Sequence, residues 1–193
     1  MKTEHDPKVL LFITDGSRDL ELMLTEEVML MKEMLEQASL EVVISSISGE
    51  PISAGSVWID PAVKLFDVNI TDYSGFIFPC MAPPVESISN LNPDVVSFVK
   101  RISTESKPLA AQTFSVVLLA DAGLLVNKKY AFTEEPDLKK YPNFSGGIYS
   151  GEGVIQDGNI ITSGTCPWKT RAFGKPHGTR KLTQLLIHAI AKN

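Results

Sequence analysis

The sequence is poor in cysteine, with only Cys80 and Cys166 in 193 residues. Two thiols make no disulfide framework, and they fit no zinc-ligand pattern. Histidine is also scarce, at three residues, and no set of His, Cys, Asp and Glu is dense enough to expect a metal. No cofactor is expected either. No apolar run approaches the roughly 18 residues of a membrane span, and Met1 to Lys8 lacks the apolar stretch of a signal peptide. These absences predict a reduced, cytoplasmic protein away from membranes. Basic charge is in deficit, at 18 Lys and Arg against 23 Asp and Glu. A net charge of −5 argues against general nucleic-acid binding. Internal repeats and low-complexity linkers are lacking too, so residues 1–193 read as one domain. With 44% hydrophobic residues, a chain of this size can bury a sizeable core without staples.

What is present alternates between strand and helix. Val9 to Thr14 is a short apolar run suited to a strand buried on both faces. Leu20 to Gln37 reads as a helix, with Leu24, Val28, Met31 and Leu35 at three- and four-residue spacing. Leu40–Ser46, Gly75–Phe78, Pro108–Ala111, Lys129–Phe132, Ile148–Gln156 and Ile160–Ser163 read as strands. Gly49 to Asp60 reads as a small hairpin or edge excursion. Asn92-Pro93 opens a helix to about Ile102, with Pro in its first turn. Phe114 to Ala122 is a helix that Gly123 stops, and Asp157-Gly158 is a hairpin turn. Thr179 is expected to cap a last helix running to about Ala191. The alternation predicts a three-layer α/β/α sandwich around a mostly parallel sheet. Ligands in that architecture sit beyond the C-terminal strand ends. Four loops are therefore singled out: Asp15–Glu21, Pro79–Pro84, Gln112–Ser115 and Gly164–Gly178.

These loops, in this order, carry a resemblance. Asp15-Gly16-Ser17-Arg18-Asp19-Leu20-Glu21, Phe76-Ile77-Phe78-Pro79, Lys107-Pro108-Leu109-Ala110-Ala111, Leu118 to Leu125 and Val154 to Ser163 together resemble the ThiJ/PfpI family of the class I glutamine amidotransferase-like superfamily. The likeness covers nearly the whole chain and implies a flavodoxin-like fold. It also implies a cysteine in a strained strand-to-helix bend, a glutamate from the first turn that bonds its sulfur, and a Pro-Gly-Gly loop that stabilises an oxyanion. A homodimer and an association with stress responses are further implications of the resemblance.

The chain departs from that pattern at several points. Glu21 takes the glutamate position, Thr113 the cysteine position and Phe114 the place where histidine is common. The Pro-Gly-Gly loop reads Pro79-Cys80-Met81. Thr113 is either a nucleophile served by Glu21 or an isosteric relic bonded to it. Asp15 and Asp19 would raise the pKa of Glu21, and Arg18 would lower it. Cys80 and Cys166 fall on neighbouring pocket loops. They could be a displaced nucleophile, a redox pair, a soft-metal site or inert packing.

An extra loop at about 165–175 carries Trp168 and Phe173 among Lys169, Arg171 and Lys175. From Gly164 to Lys181 there are five basic residues and no acid, leaving 13 basic against 23 acidic residues elsewhere. The loop could be a lid that receives a carboxylate or phosphate, a partner-binding surface, or packing. His177 is either an acid/base replacing the one absent at position 114 or an ordinary loop residue. His5 and His188 have no partner visible in sequence, and the pair Glu134-Glu135 reads as solvated. Three functional readings follow. The first is a degenerate family member that binds a small anionic ligand or a protein partner without the usual catalysis. The second is a hydrolase or lyase, glyoxalase- or deglycase-like, acting on small carbonyl compounds or C–N bonds through a displaced thiol. The third is a redox- or stress-responsive protein.

Overall fold

The computed structural model describes residues 7–14, 17, 19–80, 91–134 and 141–193. Seven strands form the main sheet: β1 (Lys8–Phe12), β2 (Glu41–Ser46), β5 (Val63–Lys64), β6 (Gly75–Phe78), β7 (Leu109–Gln112), β10 (Val154–Asp157) and β11 (Ile160–Ser163). Their order is β10-β11-β7-β6-β1-β2-β5. Every neighbouring pair is parallel except β10 with β11. This is the mostly parallel α/β architecture expected from the alternation of elements. β6, β7 and β11 are buried along their whole length, which is why they read as unbroken apolar runs.

Alternation along the strands sends side chains into two cores. Leu10, Phe12, Phe76, Phe78, Leu109 and Ala111 face one of them. There they meet Phe98 and Val99 of α3 (Pro93–Thr104) and Leu119 of α4 (Ser115–Asp121). Val9, Leu11, Ile77, Ala110 and Ile161 face the other. They meet Met31 and Leu35 of α2 (Met29–Gln37) and Leu182 and Leu186 of α6 (Thr179–Ile190). Asn92 caps α3 by accepting the Asp94 N–H at 2.9 Å. Gly123, at φ 76°, follows α4 in the left-handed conformation that ends helices.

Four sequence expectations change. The helix from Leu20 to Gln37 is not uniform: α1 (Leu20–Met23) passes through a π-helical turn, Leu24–Val28, before α2. Ile148–Gln156 is split into β9 (Ile148–Tyr149) and β10, because Gly151 turns at φ 95°. β9 pairs instead with β8 (Lys129–Tyr130). The loop at 165–175 contains a helix, α5 (Pro167–Phe173). Thr179 is the first residue of α6 rather than its cap, which is Gly178. The expected hairpin is present as β3 (Ile52–Ala54) with β4 (Val57–Ile59).

Candidate functional site

Because β6, β7 and β11 are parallel and adjacent, their C-terminal ends lie side by side at one edge. At the middle of that edge the chain turns from β7 into α4 through Thr113. Its φ is 47°, a left-handed conformation that a β-branched residue adopts at a cost of about 1–3 kcal/mol. Neighbours hold the bend in place. The Thr113 N–H donates to the Ser163 carbonyl at 2.7 Å, and the Val116 N–H donates to the Thr113 carbonyl at 3.0 Å. Ser115 Oγ donates to the Pro79 carbonyl just beyond β6. Phe114 is half-buried and packs against both cores. Thr113 itself is buried, and its Oγ1 completes no well-angled hydrogen bond. The hydroxyl nevertheless stands close enough to the Cys166 sulfur to favour the thiolate.

The loops on either side of Thr113 carry the two cysteines, and both are buried at 2% exposure. Cys80 follows β6, and Cys166 follows β11 as the residue preceding α5. Their side chains lie in one buried cluster at the end of β7, close enough for each to shift the pKa of the other. The Cys166 pKa is lowered to about 6. The bond from Cys80 is the main cause, opposed by burial and reinforced by the Thr113 hydroxyl and the backbone N–H groups of Lys169 and Trp168. Cys80 is pushed the other way. Burial is the main cause, followed by its bond to Cys166 and the negative charge on Cys166 and Glu27, against a single favourable N–H from Phe114. The site therefore favours the thiolate at Cys166 and the thiol at Cys80.

The carboxylate beside them is Glu27, not Glu21. Glu27 is fully buried, and its Oε1 accepts the Cys80 N–H at 2.8 Å. Its Oε2 is buried without a hydrogen-bond partner. Burial raises its pKa well above the ordinary value, and the Cys166 charge raises it further. Its carboxyl is thereby driven towards the neutral form. Glu27 sits inside the π-helical turn. A π turn adds a residue to the helical repeat and is frequent at functional sites. Leu24, Glu27 and Val28, at the i, i+3 and i+4 spacing of one helical face, are all buried there. Glu21 is exposed, with its carboxylate lying against Gly55 in the β3–β4 hairpin.

The remaining candidates scatter. Met81, together with Asp15, Arg18, Pro84, Glu135 and His5, lies outside the described residues. Lys169 is 5% exposed and Lys175 is exposed, and both face Glu152, at 3.9 and 2.5 Å. Burial pushes the Glu152 pKa up, but hydrogen bonds from Lys175 and the Glu134 N–H, together with the charge of Lys175 and Lys169, bring it below the ordinary value. Two of the basic residues read as an anion-receiving lid are thus already paired with an acid. Arg171 is exposed. Trp168 is half-buried and meets Phe173 edge-on at 5.6 Å, while Phe173 is 59% exposed. His177 is half-buried, and burial lowers its pKa. Its Nδ1 lies 2.8 Å from Thr179 Oγ1, which also accepts from Gln112 Nε2 at 2.8 Å. His177 thus joins β7 to the start of α6 through a polar chain. His188 is exposed on α6. Among the described residues, no group of three or more His, Cys, Asp or Glu could hold a metal ion. No helix among them is long and apolar enough to cross a membrane.

A strained strand-to-helix bend at the edge of a parallel sheet, with a buried acid and thiols around it, matches a family pattern. The sequence model of the DJ-1/PfpI family matches residues 7–175. The chain belongs to the DJ-1/PfpI family. It is similar to an uncharacterized protein of Methanocaldococcus jannaschii, 31% identical over 132 residues, a match spanning 68% of this chain and 63% of that protein. The chain thus covers less than two thirds of that relative's length. An uncharacterized protein of Archaeoglobus fulgidus is 28% identical over 130 residues, 67% of this chain and 75% of that one. Among solved structures, a ThiJ/PfpI domain protein from Brachyspira murdochii superposes with a TM-score of 0.74 at 15% identity, over 96% of this chain and 97% of that one. Drosophila melanogaster DJ-1beta gives 0.65 at 20% identity, over 97% and 96%. At these identities the likeness concerns the flavodoxin-like DJ-1/PfpI fold.

Of the site, sequence reasoning missed Glu27. A signal was available: Met23, Glu27, Met31 and Leu35 are spaced by four, which places an acid within the apolar stripe of the helix.

Proposed function

We propose that this DJ-1/PfpI protein is a thiol-dependent hydrolase or lyase acting on small carbonyl compounds, with Cys166 as the displaced nucleophile. The observation that carries this reading is the burial of Cys166 in one cluster with Cys80, beside the Thr113 bend and Glu27, an environment that lowers the Cys166 pKa to about 6. A sulfur so surrounded is a thiolate at neutral pH, the form that attacks carbonyl carbon. Thr113 occupies the bend that holds a cysteine in the family pattern. In this reading it serves the neighbouring sulfur as a hydrogen-bond donor. Glu27, driven towards its neutral form, holds a proton in the same buried cluster. Addition of the thiolate to an aldehyde creates an oxyanion that must be protonated, and Glu27 is the group assigned to that transfer. The pairing of Lys169 and Lys175 with Glu152 weighs against the alternative of a non-catalytic receptor for small anions.

The test is turnover of small aldehydes and 1,2-dicarbonyl compounds by the wild type, Cys166→Ser and Cys80→Ser. Cys166→Ser is expected to abolish turnover and Cys80→Ser to reduce it. Full activity in Cys166→Ser would contradict the proposal. Absence of turnover in the wild type would return the non-catalytic binding reading.

A further inference from the structure

Cys80 has no role in carbonyl addition beyond polarising its neighbour, yet it is the group placed directly against the reactive sulfur. We propose that Cys80 is the resolving thiol of Cys166, so that reaction with a peroxide closes an intramolecular disulfide between the end of β6 and the start of α5. This rests on the reading of Cys166 as the reactive sulfur and adds a second reaction class to the same site.

The geometry supports the pairing. β6 and β11 are separated by β7 in the sheet. Strands are spaced about 4.8 Å apart, so the bodies of β6 and β11 stand about 10 Å apart. A disulfide needs Cα atoms within about 7 Å. Two residues beyond β6 and three beyond β11, the chain carries Cys80 and Cys166 into one buried cluster beside Thr113, where each thiol shifts the acidity of the other. Cys80 is held from both sides, with Glu27 Oε1 on its N–H and Ser115 Oγ on the carbonyl of Pro79. Both cysteines are buried at 2% exposure, which favours an oxidant as small as a peroxide over a bulky disulfide.

The chemistry closes without further reactants. The Cys166 thiolate attacks a peroxide oxygen: an S–O bond forms, the O–O bond breaks, and the departing oxygen takes a proton and leaves as an alcohol or water. Cys166 has then lost two electrons and is a sulfenic acid. The Cys80 sulfur attacks it: the S–S bond forms, the S–O bond breaks, and hydroxide takes the Cys80 proton and leaves as water. The order of events follows from the electrostatics. Cys80 is the protonated member of the pair in the resting site, and the charge on Cys166 helps to keep it so. Oxidation of Cys166 to a neutral sulfenic acid removes that charge. Cys80 therefore becomes more acidic at the step where it must attack.

The test treats the reduced wild-type protein with one equivalent of hydrogen peroxide and maps its peptides by mass spectrometry. The expected product is a Cys80–Cys166 disulfide within one chain, reversed by dithiothreitol. In Cys80→Ser, Cys166 is expected to be trapped by dimedone as sulfenic acid and to pass on to sulfinic acid with excess peroxide. Three results in the wild type would overturn the proposal: Cys166 sulfinic acid without a disulfide, a disulfide only between chains, or no oxidation of either thiol. Ultraviolet titration of the Cys166 thiolate separates the two claims. A low-pKa Cys166 that forms no disulfide sinks the resolving role alone. A disulfide with an ordinary Cys166 pKa upholds the pairing and sinks the nucleophile reading.

Discussion

At the scale of single residues, the site depends on Glu27 more than on any residue that sequence comparison brings forward. Its Oε1 accepts the hydrogen bond of the buried Cys80 N–H. Glu27→Gln keeps an acceptor of the same shape and is expected to cost less than about 1 kcal/mol in unfolding free energy. Glu27→Ala leaves the buried N–H unpaired and opens a cavity, with an expected loss of about 2–4 kcal/mol. Equal losses in the two variants, read from chemical denaturation, would show that the bond to Cys80 does not hold the site. The sequence puts Cys80, Thr113 and Cys166 on loops at one edge of a parallel sheet and leaves open whether the two thiols meet; the structure buries both in one cluster there. The sequence points to Glu21 because Glu21 lies in the Asp15–Glu21 turn. The register of Glu27 with Met23, Met31 and Leu35 is legible in the sequence, but the Asp15–Glu21 turn draws attention to the other acid.

At the scale of elements, the sulfur geometry is set by how tightly the end of β11 is clamped. Gly164 passes so close to the neighbouring chain that a Cβ there would lie 2.5 Å from the Phe132 carbonyl oxygen and 2.8 Å from the Glu152 Cα. Both obstacles are backbone and cannot rotate away. Gly164→Ala is therefore expected to destabilise the fold by about 1–3 kcal/mol and to displace Cys166 two residues later. Thermal unfolding together with the thiolate absorbance of the folded variant checks both effects. An unchanged melting temperature would show that the clamp is slack. Elements with a strong local signature were legible: β6 and β11 begin and end where their apolar runs do, and Asn92-Pro93 opens α3. The helix α5 was not. Its single apolar flank, Trp168 with Phe173, is too short to show a helical period, and the Gly164–Lys181 charge run conceals that Lys169 and Lys175 reach back to Glu152.

At the scale of the whole molecule, the coupled groups leave a signature in stability against pH. The Cys166 pKa is about 6 in the folded state and about 8.5 in a free thiol. Between these values the unfolded chain binds the extra proton, so stability rises with pH. That contribution is complete above about 8.5 and is lost as pH falls through 6. Glu27 acts in the opposite sense. Its folded pKa is raised by burial and by the Cys166 charge, so its contribution is present at acid pH and is lost as pH rises towards the raised value. Above the ordinary carboxyl range the two slopes oppose each other. Glu27→Gln removes one of them and is expected to make stability rise more steeply with pH than in the wild type. Parallel curves for the two proteins would show that Glu27 is not coupled to the thiolate.

The functional expectations rest on the charge state of a single sulfur. The most direct measurement is the ultraviolet thiolate absorbance of the folded protein from pH 4 to 10, with Cys166→Ser and Thr113→Val beside the wild type. The account predicts a transition near pH 6 that vanishes in Cys166→Ser and moves upward in Thr113→Val, where the hydroxyl is lost. A wild-type transition only at the ordinary thiol value of about 8.5, or one near 6 that survives in Cys166→Ser, would contradict it.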